Sequence, residues 1–234
     1  MTEHTHKQFD NEMEAIRSGV LTMGGLVETQ MSRAITLLEG KEEHGLSDEV
    51  GADEQRINRM QVDMDLACSQ IIAKRQPTAI DLRMVLTVTK IVNDLERVGD
   101  ETKKVAKKAT LAAQNQRLSQ VRYFDVARAA GRAKEMLQLA LDAFARLDVN
   151  AAAEVIDLDD EVDAAFSAIM RQLISYMMED PRTITPALEI VFMAKSIERI
   201  GDHAKNITEA IVQVVKGIDV RHATAEQIRA EVGD

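Results

Sequence analysis

The chain has few means of cross-linking or interrupting itself: one cysteine, Cys68, and only three prolines in 234 residues. A single thiol excludes an intramolecular disulfide and fits a reducing compartment. Cys68 falls at an apolar helical position and reads as a small core residue. Tryptophan is absent, and no apolar run approaches the roughly 18 residues that a membrane span needs. The opening Met1-Thr-Glu-His-Thr-His-Lys-Gln-Phe9 lacks the basic-then-apolar order of a secretory signal. The expectation is therefore a cytoplasmic protein that meets a membrane only through partners. Charge of one sign is not gathered anywhere either. The formal net charge is −10, but acids and bases alternate along nearly every segment, which excludes a nucleic-acid groove and an electrostatic lipid anchor. No Walker phosphate loop, nucleophile elbow or cysteine–histidine zinc set occurs.

What the sequence does hold is helical periodicity. Apolar residues recur at three- and four-residue spacing, which predicts helices at about 9–40, 48–75, 79–113, 122–147, 151–178 and 183–216. Gly40, Gly45 and Ser47 interrupt the first pair, with Ser47 placed to cap the second helix. Gln76-Pro77-Thr78 breaks the second pair, because proline disfavours helix in the residue before it. Glu179-Asp180-Pro181-Arg182-Thr183 turns the fifth helix into the sixth, with Thr183 or Thr185 as cap. The period is lost from Ala113 to Gln120, so the expected units are 9–114 and 121–217, followed by a weakly amphipathic tail, 218–234.

An internal repeat gives these helices an order. Leu95-Glu-Arg-Val-Gly-Asp100 returns as Ile197-Glu-Arg-Ile-Gly-Asp202, each copy after a proline, Pro77 and Pro181. Upstream, Glu54-Gln-Arg-Ile-Asn58 matches Asp159-Asp-Glu-Val-Asp163. Each half reads helix, helix, turn, helix. The fold class this implies is all-α, two tandem antiparallel three-helix bundles related by duplication; a single longer bundle with shared helices is the alternative.

Residues four apart share a helix face. Glu96 with Asp100, and Glu198 with Asp202, therefore project side by side at the border of their apolar stripes. Ile57 and Val162 point inward, which sets Glu54 with Asn58, and Asp159 with Asp163, along the same kind of border. Counted outward from Pro77, Asn58 comes level with Glu96 and Glu54 with Asp100; from Pro181, Asp163 comes level with Glu198 and Asp159 with Asp202. Carboxylates so gathered repel and need compensation, from Arg97 and Arg199 or from a cation. All-oxygen donors suit Mg or Mn, and bridging water or hydroxide extends the range to Zn or Fe. Asn58 makes the first ladder the less charged of the two. Gly99 and Gly201, unfavourable inside helices, suggest a close neighbour at both places. His203 lies about 100° round from Asp202. Three readings stay open at this point: a regulatory adaptor, a carboxylate-bridged metal-dependent enzyme in a helical bundle, and a passive helical scaffold. Di-metal oxidases of the second kind use Glu-x-x-His pairs inside the bundle, and the six helices at these predicted bounds carry none.

The two Glu-Arg-x-Gly-Asp segments, with Met23-Gly-Gly-Leu-Val-Glu28, Arg75-Gln-Pro77, Asp81-Leu-Arg83 and Tyr176-Met-Met-Glu-Asp-Pro181, resemble the PhoU family from residue 9 to 222. That resemblance implies negative control of the phosphate starvation response and modulation of the high-affinity phosphate ABC transporter, without enzymatic activity. The implied partners are the transporter's ATPase subunit, a PAS-containing membrane sensor histidine kinase and a second copy in a homodimer. The family's acidic motif falls on Glu96/Asp100, Asp159/Asp163 and Glu198/Asp202, where the resemblance implies multinuclear metal; Glu54/Asn58 departs from it at Asn58.

Overall fold

The structure is a computed structural model and describes residues 2–41, 45–113, 121–220, 226, 227 and 230, with side chains at all of these but 2–6, 113, 121 and 122. Six helices follow in order: α1 (Thr2–Leu38), α2 (Leu46–Arg75), α3 (Ala79–Ala113), α4 (Val121–Arg146), α5 (Ala151–Glu179) and α6 (Ile184–Lys216). Five begin and end within two residues of where the apolar period placed them. α1 begins seven residues earlier than expected, because the polar stretch before Phe9 loses the apolar period yet contains no residue that breaks a helix. The predicted boundary at 114–120 and most of the tail beyond 220 lie outside the described residues, as do the side chains of His4 and His6.

Two capping expectations are corrected. Gly45, in the left-handed region at φ 89°, precedes α2 and makes Ser47 an interior residue; no side chain caps that end. Asp48 and Glu49 face the positive end of the helix dipole instead, and Lys74 and Arg75 the negative end. Thr183 does precede α6, but its hydroxyl donates backward to the carbonyl oxygens of Tyr176 (3.1 Å) and Asp180 (2.7 Å). It therefore finishes α5 rather than starting α6, while Thr185 lies inside the helix.

α1, α2 and α3 pack against one another, as do α4, α5 and α6, giving the two expected bundles. The bundles meet through α3 against α6 and α1 against α4. Both seams are antiparallel. Along α3, Asp94 meets His203 and Glu101 meets Arg199; along α1, Arg17 reaches the Ala145 carbonyl and Glu28 meets Gln138. One continuous apolar core runs through both bundles, from Ile16 and Met23 through Leu95 to Met136, Phe144 and Ile197. The packing at the α1–α4 seam is close enough to require Gly24, where an added Cβ would lie 2.6 Å from Leu141 Cδ2. Cys68 is buried, and burial pushes its thiol up from the ordinary value.

Candidate metal centres at the acidic ladders

Each ladder is built by two helices meeting across a proline turn. Ile57 and Val162 are fully inside, and they hold the rows beside them against α3 and α6. As a result Glu54 and Asp159 are buried, at 7% and 4% exposure. Glu96, Asp100, Asn58 and Glu198 are half-buried, while Asp163 and Asp202 lie at the solvent edge.

The expected neighbours do come together. Burial pushes the Glu96 carboxyl up, and the charges of Asp100 and Glu54 push it further, with Arg97 and His203 opposing. In the second half burial raises Asp202, followed by Glu198, Asp159 and Asp163, against Lys195. Asp163 is raised in the same way by burial, then by Asp159 and Glu198. Four carboxylates of α5 and α6 thus feel one another. The first ladder is milder because Asn58 Nδ2 donates to Glu54 Oε1 at 3.0 Å, a hydrogen bond where a fourth acid would repel.

Of the two arginines expected to compensate, Arg97 does lie beside Glu96 at 3.7 Å, but Arg199 turns away to Glu101 at 3.1 Å, which corrects its assignment. Lysines supply the closer contacts. Lys103 Nζ donates to Glu54 Oε2 at 2.9 Å, Lys205 Nζ to Asp159 Oδ2 at 2.7 Å, and Lys195 Nζ to Glu198 Oε1 at 2.6 Å. Burial works most strongly against the charge on Lys205, but the hydrogen bond to Asp159 together with the charges of Asp159, Glu209 and Asp202 holds its ammonium above the ordinary value. Among the described residues no three His, Cys, Asp or Glu side chains converge as they stand on a point that could hold a metal ion.

Packing explains Gly99, whereas at Gly201 a methyl group would find ordinary contact. A Cβ at Gly99 would meet Ile57 Cδ1 at 3.2 Å and Gln30 Oε1 at 3.3 Å; at Gly201 it would meet Met136 Sδ at 3.4 Å and Asp159 Oδ1 at 3.5 Å. Ile57 and Gln30 therefore pack tightly on the bare backbone of Gly99, and Met136 and Asp159 sit at ordinary contact distance from Gly201. His203 Nδ1 stands 2.9 Å from Asp94 Oδ1, which assigns it to the α3–α6 seam and not to the second ladder.

A PhoU-domain family model matches residues 20–109 and again 126–211, one match per bundle. The chain belongs to the PhoU family. It is 42% identical to the phosphate-specific transport system accessory protein PhoU homolog of Pseudomonas aeruginosa, over 99% of this chain and 95% of that one. To the PhoU accessory protein of Escherichia coli K12 it is 42% identical, over 97% and 93%. The crystal structure of PhoU from Pseudomonas aeruginosa superposes with a TM-score of 0.83 at 40% identity, covering 90% of this chain and all of that one. The phosphate transport system regulatory protein PhoU from Streptococcus pneumoniae gives 0.81 at 25% identity, over 91% and 99%. PhoU membership accounts for the duplicated bundle.

Sequence reasoning missed the lysines, although their signal was present. The repeat does not stop at the aspartate: Lys103 follows Glu96 by seven residues and Lys205 follows Glu198 by seven.

Proposed function

We propose that this PhoU-family chain is a non-catalytic negative regulator of the phosphate starvation response. It acts in the cytoplasm by protein–protein contact, restraining the high-affinity phosphate ABC transporter through its ATPase subunit. Through the sensor histidine kinase it represses starvation genes when phosphate is plentiful. The observation that carries this reading is the near full-length likeness to phosphate-specific transport system accessory proteins. No described helix is long and apolar enough to cross a membrane, so contact with a membrane system would run through partners. Self-association into a dimer belongs to the same reading.

The ladders are its metal sites in this proposal. Their donor chemistry fits: Asp159, Asp163, Glu198 and Asp202 supply only oxygen, repel one another, and would be relieved by a hard divalent cation. Those four would hold metal in the second half; Glu54, Asn58, Glu96 and Asp100 would hold it more weakly in the first. A bound ion would supply fixed positive charge at a helix surface, which rigidifies the α5–α6 pair and presents an attachment point for an acidic partner group. Without metal, Lys195 and Lys205 hold Glu198 and Asp159.

The test is genetic and chemical together. Deleting the gene in its host is expected to leave starvation genes expressed in phosphate-rich medium, and the wild-type gene to restore repression. Glu198→Ala/Asp202→Ala is expected to lose metal content and chelator-sensitive melting. Repression unaffected by the deletion would overturn the regulatory reading.

A further inference from the structure

The same lysine recurs in both halves, seven residues after the ladder glutamate, and both copies do the same thing. Each leaves its own helix and places its ammonium on a buried carboxylate of the facing helix: Lys103 on Glu54 and Lys205 on Asp159. These two acids are the innermost of their ladders, at side-chain exposures of 9% and 6%, whereas the lysine stems are 47% and 32% exposed. A cation therefore already sits where opposite charge matters most, and it is tethered on a flexible chain open to solvent. One buried polar atom of the first ladder remains unanswered: Asn58 Oδ1 accepts no hydrogen bond.

We propose that Lys103 and Lys205 are displaceable internal cations, each holding its ladder closed in the absence of metal and competing with a divalent ion for the same innermost carboxylate. The inference rests on the metal reading above and deepens it by naming what regulates the site. Three consequences follow from the charge arithmetic. In the metal-free protein the ammonium offsets part of the repulsion among Asp159, Asp163, Glu198 and Asp202, so the bundle folds without metal. An arriving ion must take Asp159 from Lys205, which swings out to water at little cost because its stem is already partly exposed. Metal affinity is consequently set below what four carboxylates would otherwise give. Occupancy follows metal supply, and the site is not filled permanently.

The experiment is a calorimetric titration of the full chain with Mn²⁺, beside melting curves with and without chelator. Lys205→Met is expected to bind Mn²⁺ about tenfold or more tightly, since one cation no longer competes at contact distance, and to melt lower than wild type in chelator but not in Mn²⁺. Lys103→Met is expected to do the same for the first ladder. Arg199→Met removes an equal charge one residue from Glu198, but from a group paired with Glu101; it is expected to change affinity far less. Lys205→Gln serves if the methionine variant folds poorly, and circular dichroism checks both. Equal tightening by Arg199→Met and Lys205→Met would reduce the effect to general electrostatics and overturn the proposal. Mn²⁺ binding that Lys205→Met leaves unchanged would overturn it while leaving the metal reading intact. No binding by wild type or any lysine variant would overturn both.

Discussion

At the scale of single residues, the chain concentrates its electrostatic cost in a few carboxyls. Asp163 and Asp202 are held above the ordinary aspartate value by burial and by each other's neighbours. An acid raised in the folded state binds protons there more tightly than in the unfolded chain. Stability should therefore rise as pH falls from neutral through the raised values toward the unfolded value of about 3.9. Glu101 has the opposite sign. Burial works against its charge, but hydrogen bonds from Lys104 and Ser196 and the charges of Lys104 and Arg199 hold it low. Its contribution is present above the unfolded value and is lost as pH falls through the lowered one. Melting in chelator should accordingly peak on the acid side of neutrality and collapse below about pH 4. Asp202→Asn should melt higher than wild type at pH 7.5 and show a flatter acid limb, measured by differential scanning calorimetry. A wild-type melting temperature that falls steadily from pH 7.5 downward would contradict this account. The acids themselves were legible in the sequence, since four-residue spacing and counting from two prolines bring them level. Their lysine partners were legible only as part of the repeat, because the spacing of Lys103 and Lys205 does not say which carboxylate each ammonium meets.

At the scale of elements, glycines report where helices touch. Gly131 in α4 is exposed and a Cβ there meets nothing within 4 Å. Gly131→Ala should therefore stabilise by about 0.5–1 kcal/mol through helix propensity alone. Gly24 faces Leu141 of α4, with both δ-methyls under 3.0 Å from the added carbon. Gly24→Ala should lose that gain to overpacking and destabilise by about 1–2 kcal/mol. Urea denaturation of the two variants separates the cases: opposite shifts are expected, and equal ones would mean the α1–α4 seam yields freely. A third glycine ends α6. Gly217 takes φ 76° and its N–H donates to the Gln213 carbonyl at 3.1 Å, while Arg83 Nη1 would lie 2.5 Å from a new Cβ. Helix existence and extent came directly from the apolar period. The first turns did not, because capping by Ser47 and Thr183 is a matter of which backbone groups are left over, and neighbouring segments satisfied or replaced them. Both Gly99 and Gly201 suggest a close neighbour in the sequence, but the packed helices supply a tight one only at Gly99, where Gln30 and Ile57 press; Met136 and Asp159 lie at ordinary contact distance from Gly201.

At the scale of the whole molecule, the two bundles are topologically separate and energetically one. A single core passes from Val20 and Met31 through Val105 into Ala130, Ile197 and Ile207. A fragment ending at residue 113 would uncover the apolar faces of α1 and α3 that α4 and α6 now cover, and faces of that extent drive association. Expressed alone, residues 1–113 should be aggregated or largely unfolded by size-exclusion chromatography and circular dichroism, and co-expression with 121–234 should rescue them. A monomeric, cooperatively melting fragment would show that the seam is dispensable. The duplication was visible in the sequence, but the seam was not. Asp94 and Glu101 read as ordinary charged positions of α3 until α6 is placed against them.

The antiparallel seam also dictates which halves can pair. Asp94 of α3 occupies the repeat position of Ser196 in α6, and Glu101 that of His203. In this chain the two crossings are therefore unlike: an acid meets an imidazole at Asp94–His203, and a hydroxyl meets an acid at Ser196–Glu101. Two copies of the first half docked in the same manner would set Asp94 against Glu101 at both crossings, with Arg97, at the repeat position of Arg199, as the facing cation. The seam thus carries a mating preference written in charge: the second half answers the first with an imidazole and a hydroxyl where a second copy of the first would answer with acids.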